Sequence, residues 1–519
     1  MRWKTAVIML GALLAVLPGQ EAIGRRVSVD EARVIAKNWV RLVVSEKGSW
    51  GDHETGEVGD IQPLGRGGRQ SGFLCSVEPA GYIVVSLHKG LAPVKVYSTD
   101  SDLDPTSDRG MSDLIKRKME RVIQAVERVT GKQIDDVSED LIKRALEVDY
   151  SESSKILSEP DMVIVPPSKS QTKSLWSAMM YTPGTAMLET LWHQGPPYND
   201  QCPQEGCGWP EYNYWNNRAL VGCVATAGAQ VLRYWRWPPS GSDGVVIPWK
   251  DMRQYYNFVY FEPTNLSYFW TEQGAATTAE LEAVAWLSRR VGVKVDMDYD
   301  CDESGADTYD MEGVFQSDYY YSNSCSRKDR DDYTANSWWS MLVNQFNANR
   351  PVLYRVENHA IVLDGHQTLT GGIRQYHTNY GWGGTAWYTL DGLHLGGIDE
   401  EYALVDIVPS RALDNTLEGS YEWSLWPLYY FDKDAHGTSA NFDAGLKLQI
   451  LNPGLIIEGR GSGDEALVFA GSNELDPDLH FFQLHTVFYY HGDEEGKTRL
   501  KIYDGEIRIK NYGQIVFHD

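Results

Sequence analysis

Apolar positions in residues 27–160 alternate between two patterns. Ala32, Ile35, Ala36, Trp39, Val40 and Val43 recur three and four apart, which predicts an amphipathic helix. Ser28 and Glu31 precede that run as a capping box, in which a hydroxyl and a carboxylate satisfy the first free amides. The runs then become β-rich. Gly72 to Val77 and Tyr82 to Leu87 flank Pro79-Ala80-Gly81 and predict a hairpin, with Val94 to Tyr97 adding a strand. Helical spacing returns from Ser112 to about Val129 and from Ser138 to about Val148. Residues 25–160 therefore read as a small α+β domain.

From residue 180 to 412 the pattern is different. Val224, Ala227, Gly228, Val231, Leu232 and Trp235 form one helical face, preceded by Gly222-Cys223 and stopped by Pro238. Further helices are expected from Thr278 to Val291 and from Ser337 to Phe346. Strand-like runs follow at Pro351 to Val356, Ala360 to Leu363, Gln375 to Thr378 and Trp387 to Leu390. Helices followed by strands predict a two-lobed α+β domain. Between the two units, VIVPPSKSQTKS at 163–174 has paired prolines, two lysines and no periodicity, so 161–179 reads as an exposed linker open to proteolysis. Residues 413–519 carry short strand candidates, including Leu446 to Leu451, Leu455 to Glu458 and Arg499 to Tyr503, separated by Asn-Pro-Gly and Asp-Gly turns. They read as an all-β appendage. GRGGR at 65–69 and GRGSG at 459–463 precede no helix and read as turns, not phosphate loops.

At 519 residues the chain exceeds one ordinary core, given about 100–200 residues per domain. A net charge of −25 argues against nucleic acid or anionic membranes as partners. Residues 1–24 have the plan of a secretory signal: Arg2 and Lys4, an apolar run from Ala6 to Leu17, then small residues with Ala22-Ile23-Gly24 as a cleavage site. That run is too short for a membrane span, so an exported soluble protein is expected, in an oxidising space. Among the six cysteines, sequence proximity favours pairing Cys202 with Cys207 and Cys301 with Cys325. Zinc at Cys202 and Cys207 is the weaker alternative, for lack of a second close ligand pair. No cofactor or metal is expected.

Cys223 carries the chemistry. It lies in the first turn of its predicted helix, where free amides and the positive end of the helix dipole bias a thiol toward thiolate. Taken alone it reads rather as a buried structural cysteine, and the rest of the chain reverses that reading. A nucleophilic cysteine needs a base from elsewhere in the fold, and His359, at the head of HAIVLDG, is the candidate. His366 and His377 read as structural. Asn379, in HTNYGWGG, offers a neutral amide to orient His359, and Gln194, in LWHQGPPYN, offers with the Cys223 N–H a donor pair for an oxyanion.

Five segments resemble the successive motifs of the streptopain family of secreted bacterial cysteine peptidases: LWHQGPPYNDQCP at 191–203, VGCVATAGAQVLRYWRWP at 221–238, VKVDMDYDCDESGA at 293–306, RPVLYRVENHAIVLDGH at 350–366 and HTNYGWGG at 377–384. The resemblance implies a papain-like fold. It also implies Gln194 as oxyanion donor, Cys223 as nucleophile, His359 as base and Asn379 in a glycine-rich loop beside them. VSVDEARVIAKNWV and GYIVVSLHKGLAPVKVYS resemble the family's pro-domain, which implies a precursor inhibited by its own residues 25–160 and acting on protein or peptide substrates. Tyr380 and Gly228 depart from the family pattern, which usually has tryptophan at the first position and a larger apolar residue at the second. An inactive relative using its β appendage for attachment, and a Cys–His amidase or transglutaminase-like acyl transferase, are the competing readings.

Overall fold

The computed structural model describes residues 26–159, 181–389 and 401–409, apart from 109, 147, 210–213, 239–240, 246, 262–265 and 357, and strands of the segment beyond residue 415. The signal-like residues 1–24 and the linker 161–179 lie outside the described residues, save that the fold ends its first unit at 159.

The first unit opens with α1 (Val29–Lys47), whose Ser28 and Glu31 form both hydrogen bonds of the expected capping box. Its buried stripe, from Ala32 to Val43, packs on β1 (Glu57–Arg66), β2 (Arg69–Glu78), β3 (Tyr82–Ser86) and β4 (Val94–Ser98). The GRGGR segment closes the β1–β2 hairpin, with Gly67 and Gly68 at φ 56° and 79°. Helix α2 (Gly110–Thr130) covers the opposite face, followed by α3 (Glu139–Leu146) and α4 (Ser151–Ser158). β1 was not expected: its Gly, Asp and Pro residues hide the strand, and an edge position tolerates them.

The second unit contains α5 (Cys223–Trp235), α6 (Thr278–Lys294) and α7 (Ala335–Asn347). Beside smaller sheets, its main-sheet strands are β5 (Ser326–Asp329), β6 (Val352–Val356), β7 (His359–Leu369), β8 (Ile373–Asn379), β9 (Thr385–Thr389) and β10 (Tyr402–Val405). The two units share one antiparallel sheet of ten strands, in the order β1-β2-β3-β4-β9-β8-β7-β6-β10-β5. The joint is the β4–β9 pair, where Tyr97 faces Trp387 and Val96 faces Tyr388. Both cores cross it. Leu369, Ile373 and Trp387 enter the core beneath α1, while Leu114, Ile115 and Met119 of α2 enter the large core that contains α5. Apolar burial at about 25 cal/mol per Å² thus binds the first unit to the second as well as to itself.

Beyond residue 415 the described residues are all in strands, which pair differently from the expected hairpins. Ala440–Phe442, Leu467–Ala470 and Leu500–Tyr503 stack in parallel, as do Tyr429–Asp432, Leu455–Arg460 and Val487–His491, and Lys447–Ile450, Asn473–Pro477 and Ile507–Ile509. The chain visits three faces in turn and returns in register, as in a parallel solenoid. Turn signals between strand candidates do not say which strands pair.

Candidate active site

The site begins at the amino end of α5. Gly222 precedes it at φ 87°, and a Cβ there would lie 2.5 Å from Met297 Sδ, so glycine is required both by the backbone and by the space. Every residue from Val224 to Trp235 is buried, not only the expected apolar face. Small residues make this possible. A Cβ on Gly228 would lie 2.5 Å from Met311 Cε, and Ala225, Ala227 and Ala229 are buried in the same core. This accounts for the glycine at that position. Cys223 itself is half-buried at the helix start.

His359 is the first residue of β7, and its backbone pairs with Val356 of β6. The imidazole is buried and lies flat on Trp382, with ring centroids 4.0 Å apart and planes 8° from parallel. Its Nε2 lies 2.9 Å from the Tyr380 carbonyl, which makes that nitrogen the protonated one in the neutral ring and leaves Nδ1 as acceptor. Neither Trp382 nor the Tyr380 carbonyl was singled out from the sequence. HTNYGWGG marks the loop, but a backbone carbonyl has no sequence signature.

Asn379 does not reach His359. Its Nδ2 donates to the Thr190 carbonyl at 2.5 Å and to Gln230 Oε1 at 2.9 Å, and its Oδ1 accepts from the Gly381 N–H at 3.1 Å. Fully buried, it fixes the turn that carries Tyr380 and Trp382, so its effect on the histidine is indirect. Gln230, inside α5, ties the same turn to the helix and accepts the Trp192 N–H at 3.2 Å.

Gln194 lies on the segment joined to this frame. Its carbonyl accepts the Val221 N–H at 3.0 Å, just before Gly222 and Cys223. The Trp192 carbonyl accepts the Gly383 N–H at 3.2 Å, and His193 Nδ1 accepts the Gly195 N–H at 2.9 Å. Residues 192–195, 221–223 and 379–383 thus converge, bringing the backbone of Gln194 and Cys223 to the loop whose Tyr380 and Trp382 hold His359. His366 and His377 lie apart in structural roles: His377 Nδ1 is 2.6 Å from buried Asp364, and His366 Nε2 is 3.3 Å from Asn347.

The charge state differs from the sequence expectation. Burial raises the Cys223 thiol above its ordinary value, against the opposing pull of the Ala360 amide, the Arg355 charge and the Val224 amide. Burial also lowers His359 to about 4, with the Tyr380 carbonyl acting the other way and Arg117 adding to the depression. Near neutral pH both groups are therefore uncharged; desolvation outweighs the helix dipole. Part of that burial comes from α2. Gly110 lies against Trp382, where a Cβ would meet its ring at 3.7 Å, and Arg117 on the next turns bears on His359. Lys118 pairs with Glu401 at 3.1 Å, and the Tyr354 hydroxyl bonds the same carboxylate. Leu114 and Ile115 share a cavity of about 50 Å3 with Tyr354, Ile361, Tyr376 and Tyr380.

The cysteines pair otherwise than expected: Cys207 is bonded to Cys301, not to Cys202. The bridge ties the strand Gln204–Trp209 to the segment after α6, 94 residues away, so sequence proximity misled. Cys75, Cys202 and Cys325 are free and buried, which leaves Cys223 the most accessible thiol among the described residues.

A half-buried cysteine at the amino end of a buried helix, beside a histidine heading an adjacent strand, is the arrangement of a thiol-dependent hydrolase. Residues 192–388 match the Peptidase C10 family. Over 356 residues, 64% of this chain and 78% of the relative, the sequence is 25% identical to streptopain of Streptococcus pyogenes serotype M28 (strain MGAS6180). Over 206 residues, 37% of this chain and 22% of the relative, it is 28% identical to the thiol protease/hemagglutinin PrtT of Porphyromonas gingivalis. Among solved structures, a Prevotella intermedia prointerpain A fragment is 20% identical, with a TM-score of 0.47 over 68% of this chain and all of that one. The protein is a cysteine-type peptidase. Its similarity is to the Peptidase C10 family over residues 192–388 and to streptopain over a longer stretch.

Proposed function

We propose that the chain is the precursor of a secreted endopeptidase in which Cys223 is the nucleophile and His359 its base. The observation that carries this reading is the convergence of the Gln194 backbone, the α5 amino end with its half-buried thiol, and the Tyr380–Trp382 loop that holds His359. In the uncovered enzyme His359 takes the thiol proton, and the thiolate attacks the scissile carbonyl carbon. The resulting oxyanion is met by the Cys223 N–H and the Gln194 amide. The imidazolium then protonates the departing amine, leaving an acyl-enzyme that water hydrolyses with His359 again as base. The Tyr380 carbonyl holds Nε2–H and Trp382 holds the ring plane, so the lone pair stays on Nδ1 for the thiol.

Residues 25–160 act in this reading as the inhibitory pro-domain, and cleavage within 161–179 releases it. The support is the shared sheet, the shared core and the seat of α2 beside Trp382 and His359. The negative charge keeps the exported enzyme soluble, and the C-terminal solenoid lies outside the catalytic chemistry. Purified protein given casein and a thiol reductant is expected to digest it, with loss of digestion after an epoxide thiol inhibitor. Digestion unaffected by the inhibitor would assign the activity to another group. An isopeptide product in place of released amine would favour the acyl transferase.

A further inference from the structure

At the far end of α5 from Cys223, a cavity of about 30 Å3 is lined by Glu189, Thr190, Arg233, Arg236 and Gln254, with Leu188 and Tyr234 as its apolar wall. Arg233 is nine-tenths buried. One of its amino groups donates to the Met252 carbonyl at 2.9 Å, but its Nε has no hydrogen-bond partner among the described residues. The hydroxyl of Thr190, also buried, has none either. Arg236 ends the helix in a left-handed conformation at φ 46°, which places a second guanidinium at the same cavity.

Nearby carboxylates do not close this account. Glu189 accepts the Gln254 side-chain amide at 2.8 Å, Glu272 accepts the Gln254 N–H at 3.1 Å, and Glu280 is taken by Arg253 at 2.5 Å. Among the described residues neither Arg233 nor Arg236 has an ion-pair partner. The carbonyl end of a helix favours cations, which explains why arginines stand here. It does not satisfy a buried N–H and a buried O–H that face one small space, each costing about 1–3 kcal/mol if left unmet.

We propose that this cavity binds one small monovalent anion, a halide such as chloride, between Arg233, Arg236 and the Thr190 hydroxyl. Size and charge choose the class. A space of about 30 Å3 with Glu189 in its wall suits a single compact monoanion better than a bulky or multiply charged one. Glu189 and Glu272 close by disfavour a dianion. Burial depresses both guanidiniums, Arg233 to about 10, and a bound anion relieves that cost. The site bears on catalysis through Thr190, whose carbonyl holds Asn379 and whose segment runs on to Gln194. That consequence rests on the role proposed for Gln194, whereas binding itself does not.

The test uses the full chain carrying Cys223→Ala, which stays uncut in the proposed scheme. Its thermal midpoint is followed as gluconate is replaced by chloride or bromide at constant ionic strength. A saturable rise of a few degrees is expected, lost in Arg236→Gln and reduced in Thr190→Val. Should a variant fail to fold, crystals of the parent grown with bromide provide the second readout, with an anomalous peak expected within hydrogen-bond reach of Arg233 Nε. A midpoint indifferent to halide at fixed ionic strength, or a bromide-free cavity, overturns the proposal. Neither readout depends on peptidase activity, so the site and the enzyme reading stand or fall separately.

Discussion

His359 is held neutral by burial in the covered chain, and this couples its protonation to the cover. Its folded value of about 4 lies below its ordinary one, so the covered form loses relative stability as pH falls from the ordinary histidine range toward 4. Acid therefore favours uncovering. Once uncovered, the ring regains solvent, becomes chargeable near neutrality and lowers the thiol by proximity. The alkylation rate of Cys223 should then rise with pH only in the alkaline range for the uncut precursor, and shift at least about one unit lower after cutting by an added protease. The same cut in His359→Ala should produce no shift. Equal profiles in the two cut proteins would break the proposed pair. At this scale Cys223 and His359 were legible because both stand in short, chemically specific runs. The partner of His359 was not, since a carbonyl at 380 is supplied by backbone geometry while Asn379 spends its amide on Thr190, Gln230 and Gly381.

Helix α5 is the element that transmits position from one motif to the next. Val221 binds Gln194 at its start, Gln230 holds the Asn379 turn at its middle, and Arg233 anchors to Met252 near its end. Its packing leaves no room at Gly228, where a Cβ meets Met311 at 2.5 Å and Val291 at 3.3 Å. Gly228→Val should consequently destabilise the protein by about 1–3 kcal/mol, read as a lower denaturation midpoint with an unchanged slope. An unaltered midpoint would show that Met311 moves aside at no cost. The existence and period of α1, α2, α5 and α6 were legible from apolar spacing, as was the capping box at Ser28. What escaped was pairing. Strand β1 lacks β-forming composition, Cys207 bonds Cys301 across 94 residues, and the C-terminal strands pair in parallel with strands three further on. Period describes a single element, whereas pairing depends on contacts remote in sequence.

For the whole molecule, the joint between the units is the decisive feature. β4 continues the peptidase sheet through β9, α2 meets Trp382 of the loop that holds His359, and Lys118 of α2 meets Glu401 in a half-dry pocket that also holds the Tyr354 hydroxyl. Truncating one partner of such a pair leaves the other charge poorly solvated, so the contact favours this one docking geometry. In the proposed scheme the segment 161–179 tethers the first unit at an effective concentration of roughly millimolar until it is cut. The apolar pattern predicted separate units but not the continuous sheet, because β4 and β9 are about 290 residues apart. The most direct measurement is a time course of chain mass and caseinolytic activity for the purified precursor under reducing conditions, beside its Cys223→Ala counterpart. The account predicts that the wild type shortens within 161–179 and gains activity in step, while Cys223→Ala keeps its full mass and stays inactive. An uncut wild-type precursor as active as the shortened form would contradict it.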